Sequence, residues 1–478
     1  MSRLKPLLEE ISIDCQLEQL FTAFVNEPYP FWLDSSLPGG EMGRWSFMGS
    51  NPFMLLKTYG RRIVLEEEGV TRSFSANPFE VLRQCLKRFS LERGDLHMPF
   101  LGGAVGFFSY DLGRMVESLP EQTEDELKMP DIYLGFYHAF VAIDHAENRV
   151  FLVSSGHPLQ GEDGAAKAAA ELVVLREKLR RQLILPDPWS EPDLAAADIH
   201  TFFSPESYGE AVERIRDYII AGDIYQANMT QRFDAPLRMP PFQLYRRLRQ
   251  VNPAPFAAYL DCGHGLRVLS SSPERFVLLE DSQVETRPIK GTRPRGKTPE
   301  EDNAFGEELL ASEKDRAELV MIIDLERNDL GRVCAYGTVN VPELMTLEKY
   351  ATVFHLVSTV RGQLASGKDT VDLLKAIFPG GSITGAPKIR AMEIIEELEP
   401  VRRGVYTGSI GYIGFDGRAD LNIVIRTFIN KADKVHLQVG GGIVYDSDPL
   451  REYEETLHKA KALLKSLGVN SFQEVPSD

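Results

Sequence analysis

The sequence predicts an α+β protein, and three observations carry that prediction. Short β-like runs broken by Gly, Pro and Asn dominate the first third of the chain, capped helical segments appear after it, and the two kinds of element do not alternate as a doubly wound parallel sheet requires. In chain order, RRIVLEEEGV, LGGAVGFFSY and NRVFLVSS read as strands, and a helix is predicted from Gly164 to Gln182. The acidic, Pro-containing stretch LPDPWSEPDLAAAD that follows suits an exposed connector. The chain therefore divides into a sheet-rich region, 1–185, a connector, 186–200, and a mixed region, 201–470. The mixed region opens with a well-signalled helix: Pro205 suits a first turn, Ser207 and Glu210 have capping-box spacing, Val212, Ile215 and Ile219 share a face, and Gly222 ends it.

Composition narrows the function. The 478 residues carry a formal charge of -17, which repels phosphate backbones and anionic lipid, so neither nucleic acid nor a membrane surface is an expected partner. The four cysteines, Cys15, Cys85, Cys262 and Cys334, lack the paired spacing of zinc or redox sites. The first residues carry acids within their apolar stretch and no cleavage site, and no apolar run has membrane-spanning length, so a cytoplasmic location is expected.

Carboxylates stand where apolar residues are expected. In the helix that begins near Ser312, Glu318 shares a face with Met321, Ile322 and Leu325, and a buried charge there needs a metal or a partner such as Arg316 or Arg332. In the last helix, capped by Asp448 and Pro449, Glu452, Glu455 and Lys459 share a face opposite Tyr453, Leu457, Ala460 and Leu464. A shared Mg²⁺ would relieve the repulsion of Glu452 and Glu455; the alternative is a solvated acidic face.

Two segments read as anion cradles or as tight turns. GSITGAPKIRAMEIIEELEP, Gly381 to Pro400, leads through Pro387 into a helix whose apolar face is Ile389, Met392 and Ile395, with Lys388 available to add charge. Ala386 and Pro387 replace the Lys and Ser/Thr of a nucleotide-binding loop, which disfavours ATP. Gly440, Gly441 and Gly442 would let a carboxylate approach bare backbone after the strand KVHLQV. Lys290, in the strand-and-turn segment VETRPIKGTRPRG, is a surface charge unless burial or nearby cations make it a nucleophile. Alternation in DIYQANMTQ puts Gln226, Asn228 and Thr230 on one polar face, either a lining or an exposed strand face.

Together these segments resemble the chorismate-utilising enzyme family, which includes anthranilate, aminodeoxychorismate, isochorismate and salicylate synthases. The matching stretches run in the family's order from GDIYQANMTQRF, SSPERF and RPIKGTRPRG through EKDRAELVMIIDLERNDLGRV, VFHLVSTVRG and GSITGAPK to GSIGYIG, NIVIRT, GGGIVYDSDP and EYEETLHKA. The N-terminal FWLDSS and GRWSFMGSNPF resemble the aminating branch. The resemblance implies two packed antiparallel β-sheets with surrounding helices and an active site in the C-terminal half. It implies Lys290, Glu274 and His355 as catalytic residues, and Glu318 and Glu455, with Glu452 close by, as Mg²⁺ ligands. It further implies substrate binding by Gln226, Gly291, Thr292, Thr384, Tyr406, Arg426, Gly440, Gly441, Gly442 and Lys459, and a candidate tryptophan pocket at Ser35, Arg44, Trp45 and Ser46.

Two positions select the branch. Gln226 stands where isochorismate and salicylate synthases have a water-activating Lys, and PIKGT with Lys290 resembles aminodeoxychorismate synthases where anthranilate synthases have PIAGT. The implied activity is amination of chorismate to 4-amino-4-deoxychorismate. None of the four cysteines lies in a glutaminase-type elbow, so ammonia is expected from a separate glutamine amidotransferase subunit. The alternatives are anthranilate synthase component I and a non-catalytic chorismate or amino-acid sensor; intact Glu274, Lys290, Glu318 and Glu455 weigh against the sensor.

Overall fold

The computed structural model describes residues 5–37, 42–190, 194–195, 198–350 and 353–469. The predicted architecture is present: two 12-stranded sheets, every ladder of which is antiparallel, pack face to face with helices outside. Continuous apolar runs such as Gly103–Phe108 and Ile132–Tyr137 are buried at every position, so these strands are covered on both faces. Aromatic rings from the two sheets meet between them. Phe31 lies 4.4 Å from Tyr137 within the sandwich, and Phe47 of the first sheet lies 5.7 Å from Tyr412 of the second, an edge-to-face contact.

Both sheets draw strands from both ends of the chain. Phe31–Asp34 pairs with Phe256–Asp261 in the first sheet, and Gly103–Phe108 pairs with Ser409–Gly414 in the second, so residues 1–185 and 201–470 share one sandwich. The connector is tethered rather than loose. Gln243 and Arg247 donate to the carbonyl of Pro188 and Arg246 to that of Pro186, while Leu194 N–H bonds the carbonyl of Leu467.

Outside the sheets, the helix Gly161–Leu179 buries Leu172, Leu175 and Leu179 in a second core shared with Leu244 and Leu248 of Pro241–Val251 and Leu463 and Leu464 of Pro449–Ser466. The helix Pro205–Ile220 buries Val212 and Ile215 as expected, but its cap is Ser204, whose box partner is Ser207, rather than Ser207 itself. Pro205 occupies the first helical position, so the preceding residue must supply the cap. Ile389, assigned to an apolar face, is 44 % exposed, because its helix starts only at Lys388 and its first turn projects beyond the sheet.

Candidate active site

A cavity of about 930 Å³ opens between the end of the first sheet and the helix Glu313–Gly331, and most of the residues singled out by sequence line it. One wall is Gln226–Pro236 paired with Lys434–Ile443, in the register Asn228 to Gly442, Met229 to Gly441 and Thr230 to Gly440. The three glycines are therefore inside a strand, not in the turn after it. Their value is spatial: a Cβ on Gly441 would sit 3.3 Å from a Glu452 carboxylate oxygen and 3.6 Å from one of Glu455, so bare backbone lets the C-terminal helix close on the sheet. Asn228 and Thr230 are buried lining, not an exposed face; Asn228 donates to the Ser382 carbonyl at 2.8 Å and Thr230 to Glu399 at 2.7 Å.

The opposite wall is Ile289–Pro294, paired with Val353–Gln363, which places Lys290 beside Leu356 and Thr292 beside His355. Lys290 Nζ donates to the Ser382 carbonyl at 3.2 Å. Burial lowers its pKa, opposed by the charges of Glu318 and Glu274, so two acids from distant segments lie close to one amine. Glu274 is 6 % exposed; burial raises its pKa against the pull of the Ser382 side chain, Lys290 and Arg426. His355 accepts or donates a 2.9 Å bond with Thr292 and, with burial pushing its pKa down to about 4, is a neutral imidazole at ordinary pH.

Tyr406 and Arg426 complete the floor, with Arg426 Nη1 held by Asn252 at 3.1 Å. The adjoining structure is rigid: Arg403, 2 % exposed, bonds Glu399 through two nitrogens at 2.9 and 2.7 Å and the Asn228 carbonyl at 2.7 Å. This buried pair fixes the Asn228 strand against the Tyr406 turn.

Glu318 and Glu455 both line the cavity, close enough for the charge of Glu455 to act on Glu318. Burial raises the pKa of Glu318, with Lys290 and Lys314 opposing and Glu455 adding to the rise, so the partners Arg316 and Arg332 considered from sequence are not what neutralises it. For Glu455, burial is outweighed by Lys459, 2.7 Å away, and its pKa is lowered. Glu452 stands behind them, bonded by Ser447 at 2.6 Å. No cluster of three acidic, His or Cys side chains able to hold a metal exists among the described residues. An all-oxygen pair completed by water and substrate nevertheless fits Mg²⁺, which keeps much of its hydration.

Two residues expected at the substrate lie behind the lining. The Thr384 hydroxyl bonds the Gly380 carbonyl at 2.9 Å, and Gln226 is wholly buried with neither side-chain amide atom hydrogen-bonded among the described residues. Lys388 does not serve an anion cradle: it bonds Asp329 and the carbonyls of Ile377 and Pro379, pinning the Gly-rich turn from below. Ser382 was missed as a site residue although it lies in the quoted GSITGAPK; its carbonyl holds both Lys290 and Asn228. Asn252, in an unremarkable loop, carried no sequence signal.

Ser35, Arg44 and Trp45 line a second cavity of about 450 Å³, while Ser46 is buried behind it and bonded to Ser35 N–H at 2.9 Å. Positions 38–41 of the same N-terminal segment lie outside the described residues. Consecutive residues serve the two cavities: Glu274 lines the first and Arg275 the second.

Comparison with known proteins agrees with this geometry. The model of the chorismate binding enzyme family matches residues 31–465. Anthranilate synthase component 1 of Thermus thermophilus is 43% identical, covering 98% of both chains. Aminodeoxychorismate synthase component 1 of Escherichia coli is 40% identical, covering 94% of this chain and 96% of its own. The crystal structure of anthranilate synthase component I from Streptococcus pneumoniae superposes with a TM-score of 0.77 at 34% identity, over 90% of this chain and 94% of that one.

Proposed function

The chain belongs to the family of chorismate binding enzymes, and we propose that within it the chain replaces the ring hydroxyl of chorismate by an amine, forming 4-amino-4-deoxychorismate on the route to 4-aminobenzoate and folate. The observation that carries this reading is the position of Lys290, an amine in the cavity wall whose pKa is lowered by burial and whose charged neighbours are Glu318 and Glu274. A lysine there has a task in this reaction that a small apolar residue could not perform.

Arg426, Tyr406 and the backbone of Gly440, Gly441 and Gly442 hold the substrate carboxylates. Glu318 and Glu455, with Glu452 behind them, would hold Mg²⁺, which when bound supplies a positive charge for the ring carboxylate and for electron density building on it. Glu274, whose burial favours its protonated form, would give its proton to the ring hydroxyl, which leaves as water. Lys290, whose burial favours the uncharged amine, then bonds two ring carbons away as the double bonds shift. Ammonia then bonds to the carbon that lost the hydroxyl, Lys290 departs, and Glu274 takes a proton from the incoming nitrogen. His355, neutral and fixed by Thr292, packs beside the ring.

Ammonia is supplied by a glutamine amidotransferase subunit, a reading supported by the "component 1" names of the relatives and by cysteines that are buried or outside any nucleophile elbow. A second reading, anthranilate formation with loss of pyruvate, is favoured by the identity to the Thermus relative. The test is to incubate the chain with chorismate, Mg²⁺ and ammonium and weigh the product. Retention of the enolpyruvyl group with one nitrogen gained supports the proposal; a fluorescent product lacking that group replaces it with the second reading, and unconverted chorismate removes both.

A further inference from the structure

The chain carries a formal charge of -17, yet the active-site cavity is positive: among the described residues seven Lys and Arg side chains line it against four Asp and Glu. The neighbouring cavity, lined by four of each, has no such surplus. Within the large cavity Lys290, Arg426 and Lys459 belong to the reaction site, and Arg293 is spent on Glu308 at 2.8 Å and Asp315 at 3.2 Å. The remaining cations are Lys314, Lys461 and Lys465.

Their placement is regular. His458, Lys461, Ala462 and Lys465 form an i, i+3, i+4, i+7 stripe on the C-terminal helix, and all four border the cavity. The next face of that helix, Ala460, Leu463 and Leu464, is buried in the core, which fixes the stripe's direction. Lys461 and Lys465 are exposed and make no ion pair among the described residues. Lys314, from the Glu318 helix, borders the same mouth; its ammonium lies 3.9 Å from Glu452 and its charge also reaches Glu318 and Glu455 without a closer ion pair among the described residues. Lysines late in a helix also offset its dipole, but that role is indifferent to whether they line a cavity.

We infer that Lys314, Lys461 and Lys465 form a cationic collar that draws the doubly charged substrate into the cleft and holds the aminated product less, so that exchange at the site is sorted by charge. The inference rests on the chorismate reading. Chorismate bears two carboxylates; once an amine replaces the hydroxyl and takes up a proton, the net charge falls to about one negative unit. Attraction by a fixed potential scales with ligand charge, so the collar acts about twice as strongly on substrate as on product. Against the repulsive field of the whole chain, this local surplus sets the encounter rate.

The experiment uses the full chain with ammonium held constant and added salt raised from about 0.02 to about 0.5 M, which shortens the screening length from about 20 to about 4 Å. The expected result is that kcat/KM for chorismate falls with salt, with a logarithmic slope about twice that of the affinity for the aminated product. The double variant Lys461→Glu, Lys465→Glu should raise KM for chorismate about tenfold at low salt, leave kcat near the parent value, and converge with the parent at high salt. Lys461→Gln with Lys465→Gln should fall between. A parent kcat/KM indifferent to salt, or a double variant that loses thermal stability but keeps its KM, overturns the collar. Calorimetric binding of chorismate separates this from the reaction itself: salt-dependent binding without amination sinks the proposed chemistry and leaves the collar standing, whereas no binding at any salt removes both.

Discussion

Gln226 and Gly442 occupy one space: a Cβ on Gly442 would lie 1.9 Å from Nε2 of Gln226, whose side chain is wholly buried and has no hydrogen-bond partner among the described residues. The strand pairing that creates this contact also sets Asn228 against Gly442, so one methyl group would disturb the wall on which the substrate lies. Gly442→Ala should lower kcat/KM for amination at least tenfold and lower the unfolding midpoint as well, because the displaced Gln226 side chain is wholly buried behind the cleft wall. Unchanged kinetics would show that Gln226 and its strand do not position the reacting ring.

On the proposed mechanism, Lys290→Ala should reduce formation of aminodeoxychorismate from ammonium by roughly a hundredfold or more, since it removes the amine proposed to form the covalent adduct. Chorismate affinity should change little, because Arg426, Tyr406 and the triple-glycine strand remain. Undiminished product formation would eliminate the covalent route while leaving family membership intact.

Glu318→Gln and Glu455→Gln should each raise the Mg²⁺ concentration required for half-maximal rate by about ten- to a hundredfold, and chelation should abolish turnover reversibly. Glu452→Gln, which alters a carboxylate already bonded by Ser447, should have a smaller effect. Titrating Mg²⁺ against the initial rate of each variant checks the order.

Arg403→Met should destabilise the fold by about 3–5 kcal/mol, because it strands Glu399 as an unpaired charge in a region from which water is excluded. Pairing it with Glu399→Gln should recover part of the loss. Denaturant midpoints of the two single variants and the double variant supply the comparison.

Two buried imidazoles outside the active-site cavity, His138 and His157, join His355 in predicting the acid limb of stability. Burial lowers the pKa of both His138 and His157 to about 4. Between about pH 4 and the ~6.5 of a free imidazole the unfolded chain binds more protons than the folded one. This contribution to stability is therefore complete above pH ~6.5 and is lost as pH falls toward 4, by on the order of a few kcal/mol for each ring. His157→Gln should give a shallower decline of unfolding free energy over that window, even if its stability at neutral pH is lower. Parallel curves for variant and parent would exclude the imidazole as the cause.

Much of the architecture is legible because it depends on periodicity. Strands such as Arg149–Ser154 and helices such as Glu313–Gly331 announce themselves through alternation, Ser312 and Asp448 through capping, and the ordered motifs carry the site residues Lys290, Glu274, Glu318 and Glu455. The errors fall where local pattern underdetermines environment. The triple glycine looked like a turn but is a strand, since what it accommodates, Gln226 and the carboxylates of the C-terminal helix, lies far away in sequence. Lys388 looked like an anion ligand but is engaged by Asp329, 59 positions earlier.

The sequence by itself determined the kind of chemistry: which acids, which amine and which glycines are present, and that helices and strands of these lengths would form. Only tertiary structure decided that Glu318, Glu274 and Glu455 act on one lysine, that Ser382 holds that lysine through a carbonyl any residue could supply, and that three ammonium groups ring the mouth. The physical reason is that secondary structure follows from interactions a few residues apart, whereas pKa, burial and electrostatic potential are sums over neighbours in space, set by how the two sheets close on each other.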